Sequence, residues 1–296
     1  MFEKIGGIKM KKNKNLLIQP FLKWAGGKRQ LIPQMEKYLK KIKYTSYCEP
    51  FIGGGSILFY LQPNKAVVND YNKDLIECYK CIKYNYDELI TKLEEYENKN
   101  NEEDFYKIRA FDRKEEYKEW SSVEKSARLI YLNRTCYNGL FRLNSSGQFN
   151  TPFGKYKSPN ICNKPVLKAL HEYFVNNDID FRQGDFEDCC KDVQKGTLVY
   201  FDPPYDQYDD QVNFVGYTEN GFTKKDQRRL KDLCDKLINN GCTVIISNSS
   251  TPFIKDLYSD KSKYSIHTLM AKRNINSNAK KRGEIQEVLI IGNGKE

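Results

Sequence analysis

A chain of 296 residues, 39% hydrophobic and 30% charged, has apolar material for one large core or two modest ones, which places it among globular proteins. No run approaches the ~18 apolar residues that span a bilayer, and MFEKIGGIKMKKNKNLL lacks the apolar core of a secretory signal, so a soluble protein and cytoplasmic placement are expected. The net charge of +10 invites a polyanion such as nucleic acid; a lysine-rich surface from A/T-rich coding bias is the other reading, and the position of the charge decides between them.

In chain order, the first ~15 residues read as a flexible basic arm. FLKWAGGKRQLIPQMEKYLK follows as a glycine turn and an amphipathic helix, then YCEPFIGGGSILFYL as a strand end, a glycine loop and a helix start. KAVVND is a short buried strand ending in Asn69-Asp70. From about Tyr71 the pattern turns to charge-dense helices with too few periodic apolar positions for a central layer, including one opened by the capping box Ser121-Ser122-Val123-Glu124. Residues 72–170 therefore read as a separate, helix-rich insertion, leaving 1–71 and 171–296 as the main domain. Strand and helix alternate again afterwards: FRQGDF ends a strand, TLVYF is the next, and Thr223 with Asp226 caps a helix that carries Leu230, Leu233, Cys234, Leu237 and Ile238 on one face. CTVIIS, IHTLM and EVLIIGN complete a mostly parallel sheet covered on both faces, with a β-rich end.

Nine cysteines, an odd count without framework spacing, read as reduced thiols. Cys78 and Cys81 make one CxxC with no second pair, and His171 and His267 stand alone, so no metal is expected.

Ligands in such sheets bind at the carboxyl ends of strands, and three polar signals fall there. In Glu49-Pro50-Phe51-Ile52-Gly53-Gly54-Gly55-Ser56 the glycines either cradle a ligand against a helix start or simply make a tight turn. Asp70 either accepts from ribose hydroxyls or caps the helix that follows it. Asp202-Pro203-Pro204-Tyr205 is the most specific of the three. Two prolines stop the strand and stiffen the bend, while the Asp202 carboxylate and Pro203 carbonyl can accept from a planar amine whose ring stacks on Tyr205. Residues 134–157 hold Arg134, Arg142, Lys155 and Lys157 with no acid, interleaved with Tyr137, Phe141, Phe149, Phe153 and Tyr156 around a hairpin-type turn at Ser145-Ser146-Gly147. That suits groove entry and phosphate contact; an aromatic minicore with a solvated rim is the alternative.

FLKWAGGK (21–28), EPFIGGGS (49–56), VVND (67–70), RTCYNGLFRLNSSGQFNTPFGKY (134–156) and YFDPPY (200–205), in this order over nearly the whole chain, resemble the Dam family of adenine-N6 DNA methyltransferases, the GATC-type D12 class. The resemblance implies a Rossmann-like S-adenosylmethionine-dependent sheet with an inserted, helix-rich target recognition domain carrying a β-hairpin. It implies double-stranded DNA as partner, a flipped adenine, and transfer by direct displacement without a covalent intermediate. A monomer or weak dimer is expected. By likeness, Trp24, Gly26, Gly27 and Lys28 help hold the cofactor with the 49–56 loop and Asp202, Asp70 takes its ribose, and Asp185 and Phe186 lie by its adenine. Lys23 and Lys28 lie by the target strand. Arg142 reads a guanine, Leu140 and Pro152 contact the thymine side, Tyr137 and Asn138 work at the flipped or flanking base, Tyr156 supports them, and Arg134, Asn144 and Lys155 join the DNA surface. Residues 213–222 fit a lid, and Arg273, Lys280, Lys281 and Arg282 suit phosphates. The stretch that follows DPPY departs from the family in being acidic at its start. Rival readings are an amine methyltransferase acting on RNA or a protein glutamine, and an inactive DNA-binding regulator; a dehydrogenase is disfavoured because the glycines do not match GxGxxG.

Overall fold

Thr197–Phe201 is buried along its whole length and its side chains alternate between two apolar clusters, Leu198 and Tyr200 in one and Val199 and Phe201 in the other. Period-2 alternation into two cores marks a central strand with both faces covered. The computed structural model describes residues 14–207, 221–272 and 284–293, without the side chains of Lys272 and Glu284. The basic arm up to residue 13, residues 213–220 of the lid stretch, and Arg273, Lys280, Lys281 and Arg282 lie outside the described residues.

Seven strands form one sheet: β1 (Ser46–Glu49), β2 (Lys65–Asp70), β3 (Asp178–Gln183), β4 (Thr197–Phe201), β5 (Thr243–Ser249), β6 (Tyr264–Lys272) and β7 (Glu284–Asn293). Their order is β3-β2-β1-β4-β5-β7-β6. The first five run parallel, and β7 enters antiparallel between β5 and β6. Chain order reverses between β1 and β4, where Cys48 faces Val199, so a crevice opens beyond Glu49 and Phe201. The mixed α/β sheet with a β-rich end is the expected one.

One face of the sheet is covered by an apolar cluster to which α1 (Ile32–Leu39), α2 (Ser56–Leu61), α3 (Lys73–Tyr84), α4 (Tyr86–Glu97), α5 (Glu102–Arg109), α6 (Ser122–Thr135) and α7 (Lys164–Val175) contribute. The other packs on α8 (Phe186–Cys189), α9 (Lys224–Asn239) and α10 (Pro252–Leu257). The charge-dense helices carry narrow apolar stripes, Leu89, Leu93 and Tyr96 on α4 and Phe105 and Ile108 on α5, and these join the same cluster as the sheet residues Tyr47, Val68 and Tyr200. Where the sequence reading sees a separate unit from residue 72, α3 packs directly on β2 and β3. A stripe too thin for a central layer suffices for an outer one, because only one side of each helix needs covering.

Helix starts follow local capping chemistry. Asn72, Asn101, Asp185 and Thr251 each accept a backbone N–H of the first turn, and Ser121 and Thr223 close full capping boxes with Glu124 and Asp226. Lys14 ends the basic arm docked on Tyr60, donating to its carbonyl at 2.6 Å. Residues 142–150 fold back antiparallel through the Leu143 and Phe149 bridge, with Asn150 N–H donating to the Arg142 carbonyl at 3.0 Å.

Ser121→Ala removes the acceptor for the Glu124 amide and should lower unfolding free energy by about 1 kcal/mol without altering the sheet. Urea denaturation followed by circular dichroism measures it; an unchanged midpoint would show that the cap contributes nothing.

Candidate active site

The loop after β1 is built on buried acids. Glu49 turns inward, its Oε2 accepting from Tyr47 Oη at 2.8 Å and from the Leu58 amide at 3.1 Å, and burial holds its pKa well above the usual carboxylate range. Through Oε2 it anchors the start of α2. Asp70 at the end of β2 accepts from the Gly53 amide through Oδ2 and from the Asn72 amide through Oδ1, each at 3.0 Å. Burial raises its pKa despite these amides. Asn72, not Asp70, caps α3, which settles one of the two readings of that acid. The glycines serve packing as well as the turn: at Gly55, with φ of 70°, a Cβ would come within 2.8 Å of Phe59 and 2.9 Å of the Tyr79 hydroxyl, and at Gly53 one would press on the Trp24 indole at 3.0 Å. Pro50 accepts from Asn69 Nδ2 at 3.0 Å, and Ser56 opens α2 behind Gly54 and Gly55.

Beside this loop, Phe51 stacks on Phe186 at 5.4 Å, and Phe222 meets Phe51 edge-on at 5.8 Å. Asp185 caps α8 through the Glu187 amide and pairs with Arg229 at 3.1 Å, whose guanidinium lies 5.0 Å over the Phe186 ring. Arg229 escaped the sequence reading, and Phe222 figured in it only as the last residue of the lid stretch.

Beyond β4 the chain bends at Asp202-Pro203-Pro204-Tyr205. Lys28, 5% exposed, sends its Nζ to Asp202 Oδ2 at 2.8 Å and to the Gly26 carbonyl at 2.5 Å, and stands 4.8 Å from the Tyr205 ring centre. Tyr205 donates to Glu287 Oε2 on β7 at 2.8 Å. Burial pushes the Asp202 carboxyl up from 3.8 to about 6, with Lys28 pulling it down and Glu287 pushing it up. Asp202 Oδ1 is buried and has no partner among the described residues, and nothing described donates to the Pro203 carbonyl. Two acceptors on a stiff bend thus await a donor.

The first motif ties this crevice to the basic segment. Gly27 N–H returns to the Trp24 carbonyl at 3.3 Å, Trp24 stacks on Phe141 at 5.3 Å, and Lys23 lies 4.5 Å over the Tyr156 ring. Fully buried Asn133 clamps Lys23, accepting its N–H and donating to its carbonyl, both at 2.8 Å. Arg142 is exposed and braced by Asn150 Oδ1 at 2.6 Å, while Asn144 takes the Ser146 and Gln148 amides and so shapes the turn. Tyr137 is 54% exposed; its N–H donates to the Pro152 carbonyl, and Asn138, at φ 55°, donates to the Tyr156 hydroxyl. Leu140 accepts from Thr151, and Lys155 is exposed. Arg134 has a buried Nε with no described partner, and burial lowers its pKa. Asp112 fixes the ribbon from behind, accepting the Phe149 amide at 2.8 Å and pairing with buried Arg128 at 2.9 Å. Asn133 and Asp112 were absent from the sequence reading, although a lone Asn directly after the apolar run Leu129-Ile130-Tyr131-Leu132 is itself a signal.

Among the described residues no group of three or more His, Cys, Asp or Glu could hold a metal ion, and no helix is long and apolar enough to cross a membrane. A family model described as D12 class N6 adenine-specific DNA methyltransferase matches residues 24–275. A type II methyltransferase of Lactococcus lactis subsp. cremoris is 42% identical, covering 96% of this chain and 99% of that protein. One from Methanocaldococcus jannaschii is 38% identical over 93% and 99% of the two chains. The DNA adenine methylase of Escherichia coli K12 is 32% identical over 95% and 96%.

A carboxyl whose folded pKa is raised to about 6 binds its proton more tightly in the native state, so its contribution to stability falls as pH rises from 3.8 to about 6. Asp202→Asn removes that decline. The stability of the variant relative to the parent should therefore be higher at pH about 7 than at pH about 4, measured by urea unfolding at both; a pH-independent difference would show that the carboxyl is not perturbed.

Proposed function

The chain belongs to the D12 class of N6 adenine-specific DNA methyltransferases, with S-adenosylmethionine as methyl donor, and we propose that it methylates the adenine of GATC in duplex DNA after flipping that base out of the helix. The observation that carries the proposal is the pair of acceptors at the bend, Asp202 Oδ1 and the Pro203 carbonyl, to which no group among the described residues donates.

The residues present fit the donor. Asp70 is a carboxylate at the end of β2, Phe51, Phe186 and Phe222 form an apolar wall for a flat ring, and the 53–55 loop brings backbone close behind Trp24. When bound, S-adenosylmethionine supplies an electrophilic sulfonium methyl. The protein's own task is to make a poor nucleophile better. An adenine amine is planar because its lone pair is delocalised into the ring; two protons held by Asp202 and Pro203 let the nitrogen become more tetrahedral and free that pair. Lys28 keeps Asp202 ionised by opposing the desolvation that raises its pKa, so that both carboxylate oxygens accept at neutral pH. Asp202 acts as acceptor and positioner, not as nucleophile. Tyr205, its hydroxyl tied to Glu287, presents a fixed face for the extrahelical base.

The acid-free ribbon supports duplex DNA as the substrate. Arg142 is exposed with a braced guanidinium suited to the O6 and N7 of guanine, and Arg134, Lys155 and Lys157 line the same segment for phosphates. We place residues 134–157 at the centre of a recognition unit within 72–170.

Purified protein with labelled S-adenosylmethionine and duplexes that differ only at GATC tests the specificity: equal label in the GATC-free duplex, or label on cytosine, RNA or protein glutamine, would refute it. Asp202→Ala should abolish transfer while sparing most DNA binding. Arg142→Ala should cost about 1–3 kcal/mol of discrimination at one base pair, read as kcat/KM ratios over single-substitution duplexes.

A further inference from the structure

Gln227 in the first turn of α9 and Asn248 near the end of β5 are 1% and 0% exposed, and the cluster between these elements is formed by apolar residues such as Leu230, Cys234, Val244 and Ile246. A buried amide is retained at a cost unless each of its polar atoms is paired. Here they form a chain whose direction is imposed by the backbone. Asn248 Oδ1 accepts the Ser249 amide at 2.8 Å and the Asp206 amide at 3.2 Å. A backbone N–H can only donate, so that end of Asn248 is its oxygen and the other end donates, reaching Gln227 Oε1 at 3.0 Å. The far end of Gln227 is then its NH2, which donates to the Pro204 carbonyl at 3.0 Å. Ser249 Oγ and Thr251 Oγ1 hold the Asp206 carbonyl and carboxylate, each at 2.6 Å.

We propose that the Gln227 and Asn248 pair is a positioning device for the methyl acceptor, aiming the Pro203 carbonyl at the target amine from behind. The proline ring locks φ of Pro204, so clamping its carbonyl settles the one remaining rotation between that group and the Pro203 peptide. With Asp206 held on the far side, the bend has its outward groups bonded to the protein and its inward acceptors left for substrate. The proposal rests on the reading of Asp202 and Pro203 as acceptors of the adenine amine. Neither residue touches the reacting atoms, and the effect passes through the backbone of Pro204 and Asp206.

Two variants test it. In Asn248→Asp the carboxylate still accepts from Ser249 and Asp206 but has no donor, so Gln227 turns its NH2 to it and sets oxygen against the Pro204 carbonyl. Gln227→Met keeps the volume and removes both bonds. Each should lower the single-turnover methylation rate at saturating cofactor and duplex by about tenfold to a hundredfold, while dissociation constants for S-adenosylmethionine and a GATC duplex move by less than about threefold. Rates within about twofold of the parent in both variants, or a rate loss matched by equal loss of affinity, would overturn the proposal. Asp202→Ala measured alongside separates the two levels. If it transfers normally, the acceptor reading falls and takes this proposal with it. If it is inactive while Gln227→Met is unimpaired, only the positioning role falls.

Discussion

The site depends on one constraint, a strand that must stop where it delivers a carboxylate. Pro203 and Pro204 lack amide donors, so β4 cannot continue past Phe201, and the bend falls at the crevice where strand order reverses between β1 and β4. A buried carboxylate at such a place is costly alone, and Lys28 is held beside Asp202 to offset that cost. Lys28 comes from the first motif, which Asn133 on α6 clamps through Lys23. The charge at the bend, the crevice wall and the basic ribbon are thus one mechanically linked unit.

The linkage explains how a thin, charge-dense set of helices supports a precise surface. Helices α4 and α5 each bury a narrow stripe in the cluster that covers one face of the sheet, α6 is buried along most of its length, and Arg128 on α6 with Asp112 pins the ribbon through Phe149. Arg142 then projects from a braced base, because Asn150 holds its guanidinium and Asn144 shapes the turn beyond it. A side chain ordered before contact loses less entropy on binding.

Much of this was legible in the chain. DPPY announces its own bend, since proline chemistry is local, and Asn69-Asp70 and the glycine loop are readable as strand ends. The partners of these residues were not. Glu49 reads in sequence only as an acid at a strand end, and its bonds to Tyr47 and the Leu58 amide are tertiary facts. The helical segment from residue 72 reads as a unit apart, yet α3 lies on the sheet, because a one-sided stripe does not reveal what it packs against.

Sequence alone determined what spans a few residues: the stop at Pro203-Pro204, the capping boxes at Ser121 and Thr223, the acid-free run 134–157, and the set of motifs that marks the family. Tertiary structure alone decided which of these meet. Lys28 and Asp202 are 174 positions apart in the chain, Tyr205 lies past the end of β4 while Glu287 is within β7, and the Gln227 to Asn248 bond joins a helix to a strand. Such pairings are set by sheet order and helix placement, which arise from the burial of whole faces and leave no trace in the spacing of the residues they bring together.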